Sequence, residues 1–87
     1  MKLIIAIIRD TDSEPVMQAL TSEKFRVTRI ASTGGLLKRG VATFLVGVED
    51  DRVDVAIQWI REKCEPAVEG EKRATIFVVP VEHFVQV

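Results

Sequence analysis

The segment Thr33-Gly34-Gly35-Leu36-Leu37-Lys38-Arg39-Gly40 holds the residue types that bind an anion. Adjacent glycines permit positive φ and close approach of the backbone, so successive N–H groups can point into one concavity. Lys38 and Arg39 add positive charge beside it, and phosphate is the natural guest. The same glycine pair also serves as plain turn chemistry between two strands. Its spacing is that of neither a Walker loop nor a dinucleotide-binding loop.

Other chemistry finds little support. Nucleophilic catalysis needs a nucleophile beside a base, and the single histidine, His83, lies in the tail, on a different element from the single cysteine, Cys64. Cys64 reads as a small, partly buried residue near a helix end, and one cysteine makes no disulfide framework within the chain. That usage fits a reducing cytosol. The acids Asp50 and Asp51 read as caps and solvated charges, without zinc or calcium ligand spacing. The chain is therefore expected not to be an enzyme and to need no cofactor or metal.

A net charge of -1 with 29% charged residues leaves no dominant field for DNA, RNA or an anionic membrane surface. Met1 to Ile8 opens like a signal peptide, but Arg9-Asp10 cuts the apolar stretch short, and no other run approaches the roughly 20 apolar residues that span a bilayer. With 87 residues the chain is expected to form one domain, residues 1–87, with a thin core. Domains of this size bury only about 60% of the surface the unfolded chain exposes, so self-association is expected.

The elements that must position the glycine segment follow from periodicity. Leu3 to Ile8 is a continuous apolar, β-branched run, the pattern of a strand at the centre of a sheet or buried on both sides. Asp10 to Ser13 supply capping residues, Pro15 suits a first helical turn, and a helix is expected over about Ser13 to Ser22. Phe25 to Ala31 and Ala42 to Val48 read as two strands paired as a hairpin through the glycine segment. Glu49-Asp50-Asp51 is expected to cap a second helix, in which Val53, Ala56, Ile57, Ile60 and Cys64 recur at helical spacing. Val55 and Trp59 extend that stripe sideways, with Trp59 read as covering the core or as a subunit contact. After a polar connection from Glu65 to Lys72, Ala74 to Val81 makes the last strand. The order β-α-β-β-α-β predicts a ferredoxin-like α+β fold, a four-stranded antiparallel sheet with both helices on one face. The other face then carries apolar residues that copies of the chain would cover.

The whole pattern resembles the PII-like cyclic-di-AMP receptor family. The resemblance rests on Met1-Lys2-x-Ile4-Ile5-Ala6-Ile7, Phe25-Arg26-x-Thr28, Ala31-Ser32-Thr33-Gly34-Gly35-x-Leu37, Thr43-Phe44, Gly47-Val48 and Asp51-Arg52-Val53. It resumes at Ala74-Thr75-x-Phe77-Val78-x-Pro80-Val81, with Phe84 and Gln86. Agreement is ungapped from Met1 to about Cys64 and again from Ala74 onward.

The resemblance implies a homotrimer with its open sheet faces turned inward, a cleft between neighbouring subunits that takes cyclic di-AMP, and a signal read by a downstream protein. Carried over by position, the ligand-binding residues are Arg26, Thr28, Gly35, Leu36, Leu37, Val41, Gly47, Phe77 and Gln86. Three positions depart from the family. Lys24 and Val41 stand where an Asn is frequent, and Leu36 where an aromatic residue is frequent. An amide gives two-way hydrogen bonding suited to an adenine edge, and a ring gives stacking. The connection from Glu65 to Arg73 is also shorter than the family's usual loop.

Overall fold

A computed structural model describes residues 1–32, 40–64 and 72–87, with Ala31 and Ser32 described by their backbone alone. The apolar run at the start forms strand β1, Lys2–Arg9. Helix α1 spans Ser13–Ser22, strand β2 Arg26–Ser32, strand β3 Val41–Val48, helix α2 Val53–Lys63 and strand β4 Ala74–Pro80. Short 3-10 turns, Asp10–Asp12 and Asp50–Arg52, lead into the two helices.

The four strands form one antiparallel sheet in the order β2-β3-β1-β4. This is the expected ferredoxin-like α+β arrangement. It gives β1 a central place with β3 on one side and β4 on the other, which is why β1 can be apolar from Leu3 to Ile8. Pro80 ends β4 on the sheet edge, where a missing N–H leaves no ladder bond unmade.

Alternation sorts the strand residues onto two faces. Ile4, Ala6 and Ile8 of β1 and Ala42, Phe44, Val46 and Val48 of β3 are buried in one cluster with Val16 and Leu20 of α1 and Ala56 and Ile60 of α2. Burying each large apolar side chain contributes roughly 1.5–3 kcal/mol, and Phe44 is fully enclosed at the centre. Cys64 closes the end of α2 from inside this core. Trp59 packs against the core's edge, with the Lys63 ammonium 5.8 Å from its ring centroid.

The opposite face carries Leu3, Ile5 and Ile7 of β1, with Leu45 of β3 in register beside Ile5 and Phe77 of β4 on its other side. These residues are only half-buried or exposed in a single chain. Among the described residues no helix is long and apolar enough to cross a membrane.

The acids expected to cap the helices do other work. Asp12 precedes α1 without a side-chain cap bond; it is buried, and its Oδ2 accepts from Arg9 Nε at 2.9 Å. A carboxylate taken out of water needs such a cation more than a helix needs its cap. The residue before α2 is Arg52, again with no side-chain cap bond. Asp50 turns instead to the Met1 amino group, 2.9 Å away.

Candidate functional site

Helix α1 ends in a turn that sets the rim of a cavity. The Lys24 N–H donates to the Thr21 carbonyl and the Phe25 N–H to the Leu20 carbonyl, each at 3.0 Å. This pair of bonds is the Schellman closure of a helix, which needs a left-handed residue between its two arms. Lys24 takes that conformation at φ 67°. Glycine fills such positions freely, whereas a residue with a Cβ costs about 1 kcal/mol there. Phe25 and Leu20 are both buried, the apolar contact that usually accompanies the motif.

Arg52 braces the turn from the other side. Its Nη1 and Nη2 donate to the Glu23 carbonyl at 3.4 and 3.5 Å, and its guanidinium lies 4.1 Å from the centroid of the Phe25 ring. The start of α2 is thereby tied to the segment that delivers Lys24 and begins β2.

Between this turn and the tail lies a cavity of about 650 Å³, within the range of small-molecule sites. It opens where β1 begins, β3 ends and β2 begins, because Lys2 pairs with Val48 and Arg26 with Gly47. Leu3, Leu45 and Gly47 line it from the open sheet face, with Thr28 beside them on β2. A Cβ built on Gly47 would stand 3.1 Å from Met1 Cε, so glycine keeps this part of the lining flat without pressing on that side chain.

The tail supplies the remaining wall. The Val81 N–H donates to the Met1 carbonyl at 3.1 Å, which carries the chain beyond β4 along the start of β1. Val81, Phe84 and Gln86 then line the cavity. Arg26 Nη1 donates to Gln86 Oε1 at 3.0 Å, joining the tail to the start of β2.

The electrostatics are cationic. Among the described residues, Lys24, Arg26 and Arg52 line the cavity against one side-chain carboxylate, Glu49. The Met1 amino group is already matched by Asp50. Its hydrogen bond, helped by the charge of Lys2, holds the Asp50 carboxyl below its ordinary range. Cationic side chains beside apolar and aromatic surface can hold a phosphate and a base together.

The residues singled out from sequence fall into three groups. Arg26, Thr28, Gly47 and Gln86 come together in this cavity. Val41 and Phe77 do not line it. Val41 opens β3 opposite Arg9 and is 43% exposed; Phe77 lies opposite Ile5 on β4 and is 52% exposed. Gly35, Leu36 and Leu37, with the rest of the glycine segment up to Arg39, lie outside the described residues, as does most of the Glu65 to Arg73 connection.

From sequence, Lys24 stands only as a departure from the family, and Arg52 shows no part in the site. The spacing of Leu20, Lys24 and Phe25 was the available signal for the first, since a helix-ending turn two residues before a strand aims one side chain at the strand's end. Nothing local in the sequence marks Arg52, because its partners, Glu23 and Phe25, are far away along the chain. Cys64 is no reactive thiol: desolvation, followed by the Asp12 carboxylate, raises its pKa, which lowers its thiolate fraction. His83 is exposed in the tail.

A protein-family model described as cyclic-di-AMP receptor matches residues 1–69. Among solved structures, the chain is similar to a crystal structure described as a functionally unknown protein from Pediococcus pentosaceus ATCC 25745. The two are 29% identical, the match covers 99% of this chain and 96% of the other, and the TM-score is 0.77.

Proposed function

This chain belongs to the cyclic-di-AMP receptor family, and we propose that it binds an adenine nucleotide second messenger, cyclic di-AMP, in clefts between the subunits of a homotrimer. The observation that carries this reading is the meeting of Arg26, Thr28, Gly47 and Gln86, from two strands and the tail, in one cavity of about 650 Å³. Arg26 suits a charge-assisted contact to phosphate. Phe84, exposed in the cavity lining, offers ring surface for a base.

The division of the expected site residues favours a cleft between copies. Val41 and Gly47 lie six residues apart on β3, roughly 20 Å at the rise of a strand. A nucleotide seated on Gly47 reaches the Val41 end of a sheet only if that end belongs to a neighbour. The apolar open face of Leu3, Ile5, Ile7, Leu45 and Phe77 supports the same assembly, since three copies turned inward would remove it from water.

The protein acts by binding, with its output read by a partner protein, and performs no turnover. Thermal denaturation with cyclic di-AMP, cyclic di-GMP, ATP and AMP tests the ligand. A ligand that binds only the folded state raises the melting temperature by mass action, and cyclic di-AMP is expected to raise it most. Sedimentation tests the assembly, with a trimer expected at micromolar concentration and a monomer removing the shared cleft.

A further inference from the structure

Lys24 occupies a backbone position that favours a residue without a Cβ, yet it carries one of the longest side chains and lines the cavity. Strain of this kind collects at functional sites. The other cations nearby are unequally committed. Arg52 is engaged with the Glu23 carbonyl and the Phe25 ring, and the Met1 amino group with Asp50. Arg26 spends one of its five N–H donors on a neutral amide, Gln86. Among the described residues the Lys24 ammonium has no carboxylate within ion-pair distance.

We propose that Lys24 and Arg26 together form a phosphate anchor, and that Lys24 gives a linear adenine dinucleotide ending in a phosphomonoester an advantage over the same dinucleotide without that terminal phosphate. The proposal rests on reading this cavity as the nucleotide site. The ligand class is the linear adenine dinucleotide with a terminal phosphate. Its members include the linear dinucleotide formed when one phosphodiester of cyclic di-AMP is opened.

The chemistry of the two phosphate types separates them. A phosphodiester presents two free oxygens and one negative charge. A phosphomonoester presents three oxygens and a charge of about -1.5 to -2 at pH 7. Arginine's planar fork takes two oxygens side by side, while lysine's ammonium is a compact charge with rotatable donors, suited to the third. One cation already balances a diester, so a second is rewarded chiefly by the second charge of a monoester. Arg26 is thus the general anchor and Lys24 the discriminating one.

Acidity gives a second signature. The monoester's second ionisation lies near pH 6. The preference for a terminal phosphate is therefore full above about pH 7 and shrinks as pH falls through about 6. Binding of a diester has no such step.

The test is calorimetry of the full chain with three probes: linear di-adenylate bearing a 5′-phosphate, the same dinucleotide without that phosphate, and cyclic di-AMP. Each is titrated into the unsubstituted protein and into Lys24→Gly, at pH 7.5 and pH 5.5. In the unsubstituted protein at pH 7.5 the 5′-phosphate should strengthen binding of the linear dinucleotide about tenfold or more, the size of one charge-assisted contact. In Lys24→Gly that advantage should fall to about twofold or less, while the melting temperature stays the same or rises, because glycine suits the left-handed position. At pH 5.5 the advantage in the unsubstituted protein should shrink as well. Cyclic di-AMP binding without any gain from the 5′-phosphate, or with a gain that survives in Lys24→Gly, overturns this inference alone. Failure of all three probes to bind overturns both it and the nucleotide reading beneath it.

Discussion

Arg26 and Gln86, 60 positions apart in the chain, are joined by a 3.0 Å hydrogen bond from the guanidinium to the side-chain amide oxygen. The contact ties an exposed tail without regular secondary structure to the first residue of an edge strand. A cavity bounded by sheet on one side only is thereby given a second wall. Both partners are exposed, so the bond contributes little to stability and much to where the guanidinium points. Gln86→Ala should change unfolding free energy by less than about 0.5 kcal/mol, yet weaken cyclic di-AMP binding by roughly five- to tenfold. Urea denaturation and calorimetry on one preparation separate the two effects.

Arg52 holds two elements together and should behave differently. Arg52→Ala removes a guanidinium packed on the Phe25 ring and two donors to the Glu23 carbonyl. The expected loss is about 1–2 kcal/mol of stability, read by urea unfolding. Arg52→Lys should recover only part of it, because an ammonium cannot stack flat on the ring while forking to one oxygen.

The open sheet face predicts assembly. Phe77 is 52% exposed and sits opposite Ile5, so Phe77→Glu should leave the fold of a single chain intact while placing a charge inside the proposed trimer. Sedimentation should show monomer, circular dichroism an unchanged helix signal, and calorimetry a loss of cyclic di-AMP affinity. A trimer that persists with Phe77→Glu would show that this face is not the contact.

Cys64 reports on the core. Burial, with a smaller contribution from the Asp12 carboxylate, raises its thiol above the ordinary value of 9.0. Because the folded pKa is raised, the stability tied to the neutral thiol is fully present below pH 9.0 and is lost as pH rises through the folded value. Iodoacetamide at pH 8 should therefore label Cys64 slowly and only as fast as the α2 end opens, with labelling accelerating at the urea midpoint. Rapid labelling without denaturant would contradict its burial.

The fold was legible because each element wrote its own period into the chain. The apolar run from Leu3 to Ile8 marked a central strand, and the spacing of Val53, Ala56, Ile57 and Ile60 marked the core face of α2. Ala42 to Val48 marked a further strand, which the sheet places as β3. Caps were misread because a short acid before a helix has several ways to satisfy itself. Asp12 took Arg9, three positions back, and Asp50 took the Met1 amino group, which the pairing of β1 with β3 brings to it.

The cavity was legible only as far as the family resemblance reached. Arg26, Thr28, Gly47 and Gln86 were named and do meet there. Their meeting depends on register, since pairing Arg26 with Gly47 brings β2 to the correct end of β3. Lys24 needed a backbone angle to become informative, and Arg52 needed a partner 29 positions away. Periodicity encodes neither.

Cyclic di-AMP binding in this cavity is proposed to depend on Arg26. Calorimetric titration of the full chain beside Arg26→Ala tests it most directly. Saturable binding at one cyclic di-AMP per chain is expected, weakened about tenfold or more in Arg26→Ala while its melting temperature is nearly unchanged. No binding at millimolar cyclic di-AMP, or equal affinity in Arg26→Ala, would contradict it.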